Sequence, residues 1–233
     1  MTYWIIGAGR FGRRAVQRLF KRQRQAHITV VDTDQSALES LITDLPVEKV
    51  CQDGAAFLTS KLNGDSPPDW IVPAVPIHLA FQWICEKGRL TVPGSGWEVI
   101  PVPEEVESMV PNPMRGSQGQ LYMSFADFLC PDHCMEPYDR CTFTGKPRKG
   151  ILYQMLRGIS YRDFTSVVVR SRQLAPGVGG FRPEDLKASL EKVLHANGQV
   201  LYSTACFCHG VMNALRLSEV VSTAPGGKKR KSL

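Results

Sequence analysis

The chain has 233 residues, of which 43% are hydrophobic and 21% charged, with 20 glycines and 16 prolines. This composition excludes collagen-like, coiled-coil and wholly disordered chains, and the length predicts one complete domain with a second, smaller unit. No stretch approaches the about 20 apolar residues of a membrane span, and the start of the chain has no charged leader. We therefore expect a cytoplasmic protein without membrane insertion.

Positive charge is concentrated at the C-terminal end. The formal net charge is +6, and Lys228, Lys229, Arg230 and Lys231 supply four of these charges. A nearly neutral body has no electrostatic footprint for nucleic acid, and a short basic run is typical of a solvated end. We predict a disordered tail over residues 221–233 and no nucleic-acid partner.

A strand, a glycine turn and a helix follow one another at the start of the chain. Residues 3–6 are apolar, and the turn GAGRFG over residues 7–12 leads into a segment whose apolar residues recur at helical spacing. A second apolar strand over residues 28–31 ends at Asp32, twenty residues after Gly12. This order and spacing are typical of a dinucleotide-binding fingerprint.

Each residue of this fingerprint has a physical role. Gly7 permits the tight turn, Gly9 lets the backbone approach a pyrophosphate, and Gly12 allows the helix to pack closely on the strand. The first N–H groups of the helix favour a phosphate. Asp32 would accept hydrogen bonds from the ribose hydroxyls and would repel a 2′-phosphate, which favours NAD(H) over NADP(H).

Alternating strands and helices continue through the first third of the chain. We predict helices over residues 35–41, 55–62 and 79–87, and strands over residues 47–51 and 70–75. This alternation predicts an α/β fold with a Rossmann-like parallel sheet covered on both faces.

Several motifs of this region resemble those of a known domain family. They are the segment IIGAGRFG, the run VVDTD, the turn Cys51-Gln52-Asp53-Gly54 and the AVPIH end of the fourth strand. With these motifs, residues 1–90 resemble the TrkA-N or RCK type of Rossmann domain of bacterial potassium-uptake regulators. Such domains commonly sense a ligand without transforming it. The resemblance implies NAD(H) or another adenine nucleotide, held by residues that include Gly7, Gly9, Arg10, Phe11, Gly12 and Asp32, with Asp53 near the adenine.

The alternation stops after this region. Residues 92–113 contain five prolines, which exclude a regular pair of helices. We predict a linker over residues 91–119 with one or two short extended pieces.

Five of the seven cysteines fall in two clusters. The first contains Cys130, Cys134 and Cys141, and the second contains Cys206 and Cys208. Cytosolic thiols stay reduced, so clustered ones indicate a metal site more readily than disulfides. The first cluster and one cysteine of the second would make a four-coordinate site for zinc or an iron-sulfur cluster. The alternative is buried or surface thiols without an ion.

The spacing of the first three cysteines matches neither zinc ribbons nor bacterial ferredoxins. We favour an iron-sulfur cluster over zinc because a thiolate cluster beside a nucleotide domain makes an electron path. His133 and His209 lie inside the clusters and are alternative ligands. Cys51 and Cys85 are expected to be buried as small apolar residues.

A second α/β pattern follows the first cysteine cluster. We predict strands over residues 165–169 and 199–204 and a helix over residues 183–196, which with the cysteines make a Cys-rich α/β unit over residues 120–220. The glycine-rich loop over residues 174–181 precedes the helix. It is compatible with an anion site and equally with a tight loop without a ligand.

These features favour an NAD(H)-binding redox protein with a C-terminal thiolate metal or iron-sulfur site. If it is an enzyme, an NAD-dependent oxidoreductase is indicated, although no acid-base signature assigns a catalytic residue. One alternative is a non-catalytic nucleotide sensor, and another is a zinc-stapled binding module. The expected partners are the dinucleotide and a small molecule or redox partner, with a homodimer as the default assembly.

Overall fold

The computed structural model describes residues 1–41, 45–92, 96–196 and 198–218. The basic tail predicted over residues 221–233 lies outside these ranges. No helix of the described ranges is long and apolar enough to cross a membrane.

The N-terminal unit is built on a parallel sheet. Its strands are β1 (Thr2–Ile6), β2 (His27–Asp32), β3 (Val47–Cys51) and β4 (Trp70–Pro73). The helices between and after them are α1 (Arg10–Arg22), α2 (Gln35–Glu39), α3 (Gly54–Lys61) and α4 (Leu79–Thr91). The spatial order β3-β2-β1-β4 with parallel neighbours is that of a Rossmann half, which confirms the predicted fold class.

Strand β1 is buried on both faces. Tyr3 and Ile5 pack into one apolar cluster with the buried face of α1, while Trp4 and Ile6 pack into another with α3 and α4. Helices on both faces explain why these parallel strands read as continuous apolar runs in the sequence.

The second unit is built on a mixed sheet. In chain order it contains β5 (Gly96–Ile100), a 3-10 helix (Glu104–Met109), β6 (Met114–Arg115), β7 (Leu121–Ser124), α5 (Leu152–Arg157), β8 (Phe164–Arg170), β9 (Arg172–Ala175), β10 (Val178–Gly180), α6 (Pro183–Leu194), β11 (Gln199–Ala205) and β12 (His209–Ser218). Strand β12 pairs antiparallel with β11, β7 and β5, and β11 pairs parallel with β8.

Within the linker predicted over residues 91–119, the described residues contain the short extended pieces that the sequence analysis expected, β5 and β6. Strand β5 pairs with the end of β12, in register from Gly96 opposite Ser218 to Ile100 opposite Ala214. The described prolines of this region lie between short elements, where the missing N–H breaks no ladder; they are Pro101, Pro103, Pro111 and Pro113. Strand β5 belongs to the second sheet through its pairing with β12, which lies more than a hundred residues away in the chain.

The glycine-rich segment forms the hairpin of β9 and β10. Phe181 and Ile71 exchange backbone hydrogen bonds of 2.9 and 3.0 Å, which attach the hairpin to β4. A side chain at Gly180 would lie 2.8 Å from the carbonyl oxygen of Ile71, so this close approach explains the glycine. Glu184 and Asp185 in the first turn of α6 disfavour an anion there.

One apolar cluster joins the two units. It contains Trp83 of α4, Phe181 beyond the hairpin and Tyr202 of β11, all almost completely buried. Trp97 of β5 packs against α4, where a side chain at Gly88 would overlap the indole ring. The units therefore fold against each other as one apolar core.

Replacing Trp97 by alanine tests whether β5 belongs to this core. We expect Trp97→Ala to lower the free energy of unfolding by about 3–5 kcal/mol, because it empties a buried aromatic position. Val99→Ala on the same strand, where Val99 is 46% exposed, is the control and should change it by less than about 1 kcal/mol. Urea denaturation measures both, and equal small effects would mean that this segment only connects the units.

Candidate functional site

The glycine turn after β1 leaves its outer surface open. Gly7 has a φ of 113°, and a Cβ there would lie 2.5 Å from the carbonyl oxygen of Ala74. A Cβ at Gly12 would overlap the carbonyl oxygen of Gly7, whereas one at Gly9 would meet nothing within 4 Å. The fold therefore requires glycine at positions 7 and 12, while Gly9 keeps open space beside the start of α1.

The N-terminus of α1 and the end of β2 face this space. Among the residues that the structure describes, no side chain caps α1, which leaves its first N–H groups available to a phosphate. The Asp32 carboxylate accepts hydrogen bonds from the N–H groups of Ala8 at 2.6 Å and Asp34 at 2.9 Å. Asp32 thus fastens the glycine turn to β2, and its binding of a ribose stays a prediction.

The other predicted nucleotide residues have mixed surroundings. Phe11 is half exposed, and the Arg10 guanidinium lies 4.8 Å from the centroid of its ring. Asp53 lies at the end of β3, where its carboxylate accepts a 2.9 Å hydrogen bond from the Ala56 N–H and caps α3. The structure gives Asp53 a structural role that the sequence analysis did not assign to it.

The two cysteine clusters face a common cavity of about 420 Å³. Its lining includes Cys130, Cys134, Cys141, Cys206 and Cys208. Phe11 and Arg14 of α1 also line this cavity, which we call the cysteine cavity. The structure therefore brings all five predicted ligand cysteines together in a cavity that the first turns of α1 also line.

Polar contacts anchor the loop that carries the first cluster. The Cys134 carbonyl oxygen accepts hydrogen bonds from the Gln173 side chain at 2.6 Å and the Gly177 N–H at 3.2 Å. Asp132 forms a 2.6 Å ion pair with Arg14. The loop is thus held by the β9–β10 hairpin on one side and by α1 on the other.

The thiols of the cavity have shifted proton affinities. Burial raises the pKa of Cys130, Cys206 and Cys208, that of Cys208 to about 11. Cys141 differs because the backbone N–H of Thr144 faces its sulfur and lowers its pKa. A thiol with a raised pKa stays protonated at neutral pH, and a bound cation reverses this by stabilising the thiolate.

Arg148 is a cavity residue that the sequence analysis did not identify. Its guanidinium contacts the Cys208 sulfur and donates hydrogen bonds to the carbonyl oxygens of Pro137 and Arg140. It ties the loop to the turn between β11 and β12 and places a positive charge beside the thiols. No local sequence signal indicates this role, because Arg148 and Cys208 are 60 residues apart.

Cys206 has different partners from the other cysteines. Its Sγ, a carboxylate oxygen of Glu136 and a ring nitrogen of His209 all lie within 4.8 Å of one another. The other four thiols share the cavity, but in the described part of the chain they do not form so compact a group. A site made from those four thiols would require the loop to close on its ion.

The remaining candidates lie outside the cysteine cavity. His133 is exposed and is not among the residues that line the cavity. Cys85 is buried as expected, but the expectation for Cys51 is wrong: it is exposed, and its thiol faces the Thr33 carbonyl oxygen at 3.5 Å. Strand β3 lies at the edge of its sheet, which explains the exposure of its last residue.

His78 links the two units at the start of α4. Its Nδ1 lies 2.8 Å from the Asn213 amide oxygen, and its Nε2 lies 2.8 Å from the Thr204 hydroxyl. Because the amide oxygen only accepts, these contacts assign the proton to Nδ1. His78 also borders a second cavity of about 800 Å³ that Glu86 and Arg89 line. A histidine noted only for its place after the fourth strand is therefore an interunit contact.

Two family models and one known protein match this chain. The family model described as "Uncharacterized protein, C-terminal domain" matches residues 80–218, and the model of the TrkA-N domain matches residues 3–59. A protein of Archaeoglobus fulgidus named "Uncharacterized protein" is 28% identical over 228 residues, which cover 91% of this chain and 98% of that protein. The match of the TrkA-N model confirms the TrkA-N resemblance expected from the glycine turn.

Replacing Gly9 tests the nucleotide site without disturbing the fold. We expect Gly9→Ala to weaken NADH binding by about tenfold or more, because the added methyl group occupies the space that a pyrophosphate needs. The free energy of unfolding should change by less than about 1 kcal/mol, since no atom opposes the methyl group. Gly158→Ala, at the end of α5, is the control. Unchanged NADH affinity measured by calorimetry would argue against a nucleotide at this turn.

His78 makes stability depend on pH. Burial lowers its pKa from 6.5 to about 4, so the unfolded chain binds its proton more tightly than the folded one. The contribution of neutral His78 to the free energy of unfolding is complete above pH 6.5. It is lost as the pH falls toward about 4, by about 3 kcal/mol in total. His78→Gln should lose less stability over this interval, because its side chain does not titrate. Urea denaturation at several pH values measures the free energy of unfolding of both proteins. The same dependence of this free energy on pH in both would contradict the prediction.

Proposed function

The chain belongs to the family described as "Uncharacterized protein, C-terminal domain", and from this premise and its TrkA-N region we propose that it is an NAD(H)-binding redox protein with a thiolate metal or iron-sulfur site. In this proposal, the TrkA-N region binds the nucleotide. The family domain contributes the five clustered cysteines.

One observation carries the proposal. The five thiols share the lining of the cysteine cavity with Phe11 and Arg14, which lie in the first turns of α1. The same helix begins at Gly9, where the open surface suits a pyrophosphate. A nucleotide at the glycine turn and a metal at the thiols would therefore be close neighbours, which favours a joint role in electron transfer.

The residues fit the two groups. Gly9 and the N–H groups of α1 would hold the pyrophosphate, and Asp32 would orient the ribose while it holds the turn. The thiols would hold the metal, and the Arg148 guanidinium would balance the negative charge of thiolates. When bound, NAD(H) supplies or accepts a hydride, and an iron-sulfur cluster takes up single electrons. Phe11 and Arg14 would limit the access of water between the two sites.

A nucleotide sensor is the second candidate, and the contacts of α1 favour it. Arg14 pairs with Asp132, and Arg18 donates a 2.7 Å hydrogen bond to the Asp132 carbonyl oxygen. The loop between β7 and α5 carries Cys130, Cys134 and Cys141, and we call it the cysteine loop. A nucleotide that shifts the first turn of α1 would move the Asp132 part of this loop without any chemistry. Tight NADH binding without turnover of an electron acceptor would favour this function.

Metal analysis of protein purified without oxygen tests the proposal. We expect iron with sulfide and a broad absorption band near ~400 nm that bleaches on addition of NADH. Cys130→Ser should lose the iron, while Cys51→Ser, which changes a cysteine outside the cavity, should keep it. Zinc without a response to NADH would favour the sensor. An absence of metal, or equal iron in both variants, would contradict a thiolate site.

A further inference from the structure

The turn between β11 and β12 holds two potential ligands on one side. The backbone N–H of Cys206 donates a 2.9 Å hydrogen bond to the His209 carbonyl oxygen, which closes the turn. The N–H of His209 donates to the Cys206 sulfur at 3.3 Å, a contact that stabilises a thiolate. Cys206 and His209 are therefore placed together by the backbone of the turn itself.

Glu136 reaches this turn from the cysteine loop. Its Oε1 accepts a 3.1 Å hydrogen bond from the Phe207 N–H, which orients the carboxylate and leaves the other oxygen available. Glu136 has a φ of 43°, a conformation that is uncommon for a residue other than glycine. The hydrogen bond from Phe207 holds the Glu136 carboxylate against the turn that carries Cys206 and His209.

The donor set and its spacing suit a metal ion. In tetrahedral zinc coordination, bonds of about 2.0–2.3 Å place donor atoms about 3.3–3.8 Å apart. The three atoms here already lie within 4.8 Å of one another, so a small inward movement would complete the geometry. One oxygen, one sulfur and one nitrogen form a mixed set of the kind that zinc accepts.

The neighbouring cysteine is directed elsewhere. Cys208 lies two residues from Cys206, but its sulfur contacts Arg148. The turn thus divides its two thiols, one toward Arg148 and one toward Glu136 and His209. This division separates the three-residue group from the other cysteines of the cavity.

We propose that Glu136, Cys206 and His209 form a second metal site, which binds a zinc-class divalent cation and leaves a coordination position for water or a small ligand. All three residues line the cysteine cavity, so a molecule that enters the cavity reaches this ion. Three protein ligands with an open position are typical of zinc sites that act on a substrate. The inference goes beyond the proposed function, because this site needs neither a nucleotide nor a cluster at the other thiols.

Cobalt(II) titration of the full chain tests the second site. The background is Cys130→Ser, stripped of metal by a chelator under reducing conditions, so that the four-thiol set is incomplete. We expect about one Co²⁺ per chain, with the charge-transfer band of a single thiolate ligand. Adding Glu136→Gln or His209→Ala should weaken binding by about 100-fold or more, and Cys206→Ser should abolish the thiolate band. His133→Ala, an exposed histidine of the same loop, should change neither.

Several outcomes would overturn the second site. Unchanged Co²⁺ affinity in both the Glu136→Gln and His209→Ala proteins would do so, as would a Cys130→Ser protein that binds no Co²⁺. Glu136→Gln keeps an acceptor for the Phe207 N–H, and urea denaturation shows whether each variant is folded. Iron content and the response to NADH of the anaerobic wild-type protein are measured separately. Failure of the redox proposal is therefore distinguishable from failure of this site.

Discussion

Three arginines of α1 hold the second unit against the nucleotide-binding sheet. Arg14 pairs with the Asp132 carboxylate, Arg18 donates to the carbonyl oxygen of Asp132, and Arg22 donates a 2.5 Å hydrogen bond to the Leu174 carbonyl oxygen. The opposite face of α1 is buried on the sheet. One helix therefore carries the glycine turn at its start and positions the cysteine loop along its side. These contacts fix the position of the cysteine loop relative to the glycine turn.

Apolar packing sets the rest of the arrangement. The β9–β10 hairpin joins β4 through Phe181 and Ile71, and Tyr202 of the second sheet enters the same core as helix α4. His78 adds a polar contact from the end of the first sheet to the second. A buried polar contact of this kind favours one orientation over sliding, because any shift would leave its partners without hydrogen bonds. The packed units therefore position the cysteine loop, whose own residues are not among the buried residues of the apolar clusters in the described chain.

Residues of opposite charge contact different thiols of the cavity. Arg148 faces Cys208, and Glu136 faces Cys206 and His209, so a cation and an anion lie on either side of one short turn. This pairing explains how five cysteines and a histidine can share one cavity and still have different surroundings. A positive neighbour favours thiolates without a further ligand, whereas a carboxylate beside a thiol favours an added cation.

Local sequence signals predicted the Rossmann half and pointed to five clustered cysteines as candidate metal ligands. The glycine turn, the run ending at Asp32 and the helical spacing of α1 are local signals, since backbone sterics and short-range burial set them. The pairing of β5 with β12, the contact of Cys208 with Arg148, and the grouping of Cys206 with Glu136 and His209 become visible only in the folded chain. Except for Cys206 and His209, which share the turn between β11 and β12, these contacts join residues at least 60 positions from each other in the sequence. Local periodicity carries no information about such pairs, because strand register and loop packing are settled only when the whole core forms.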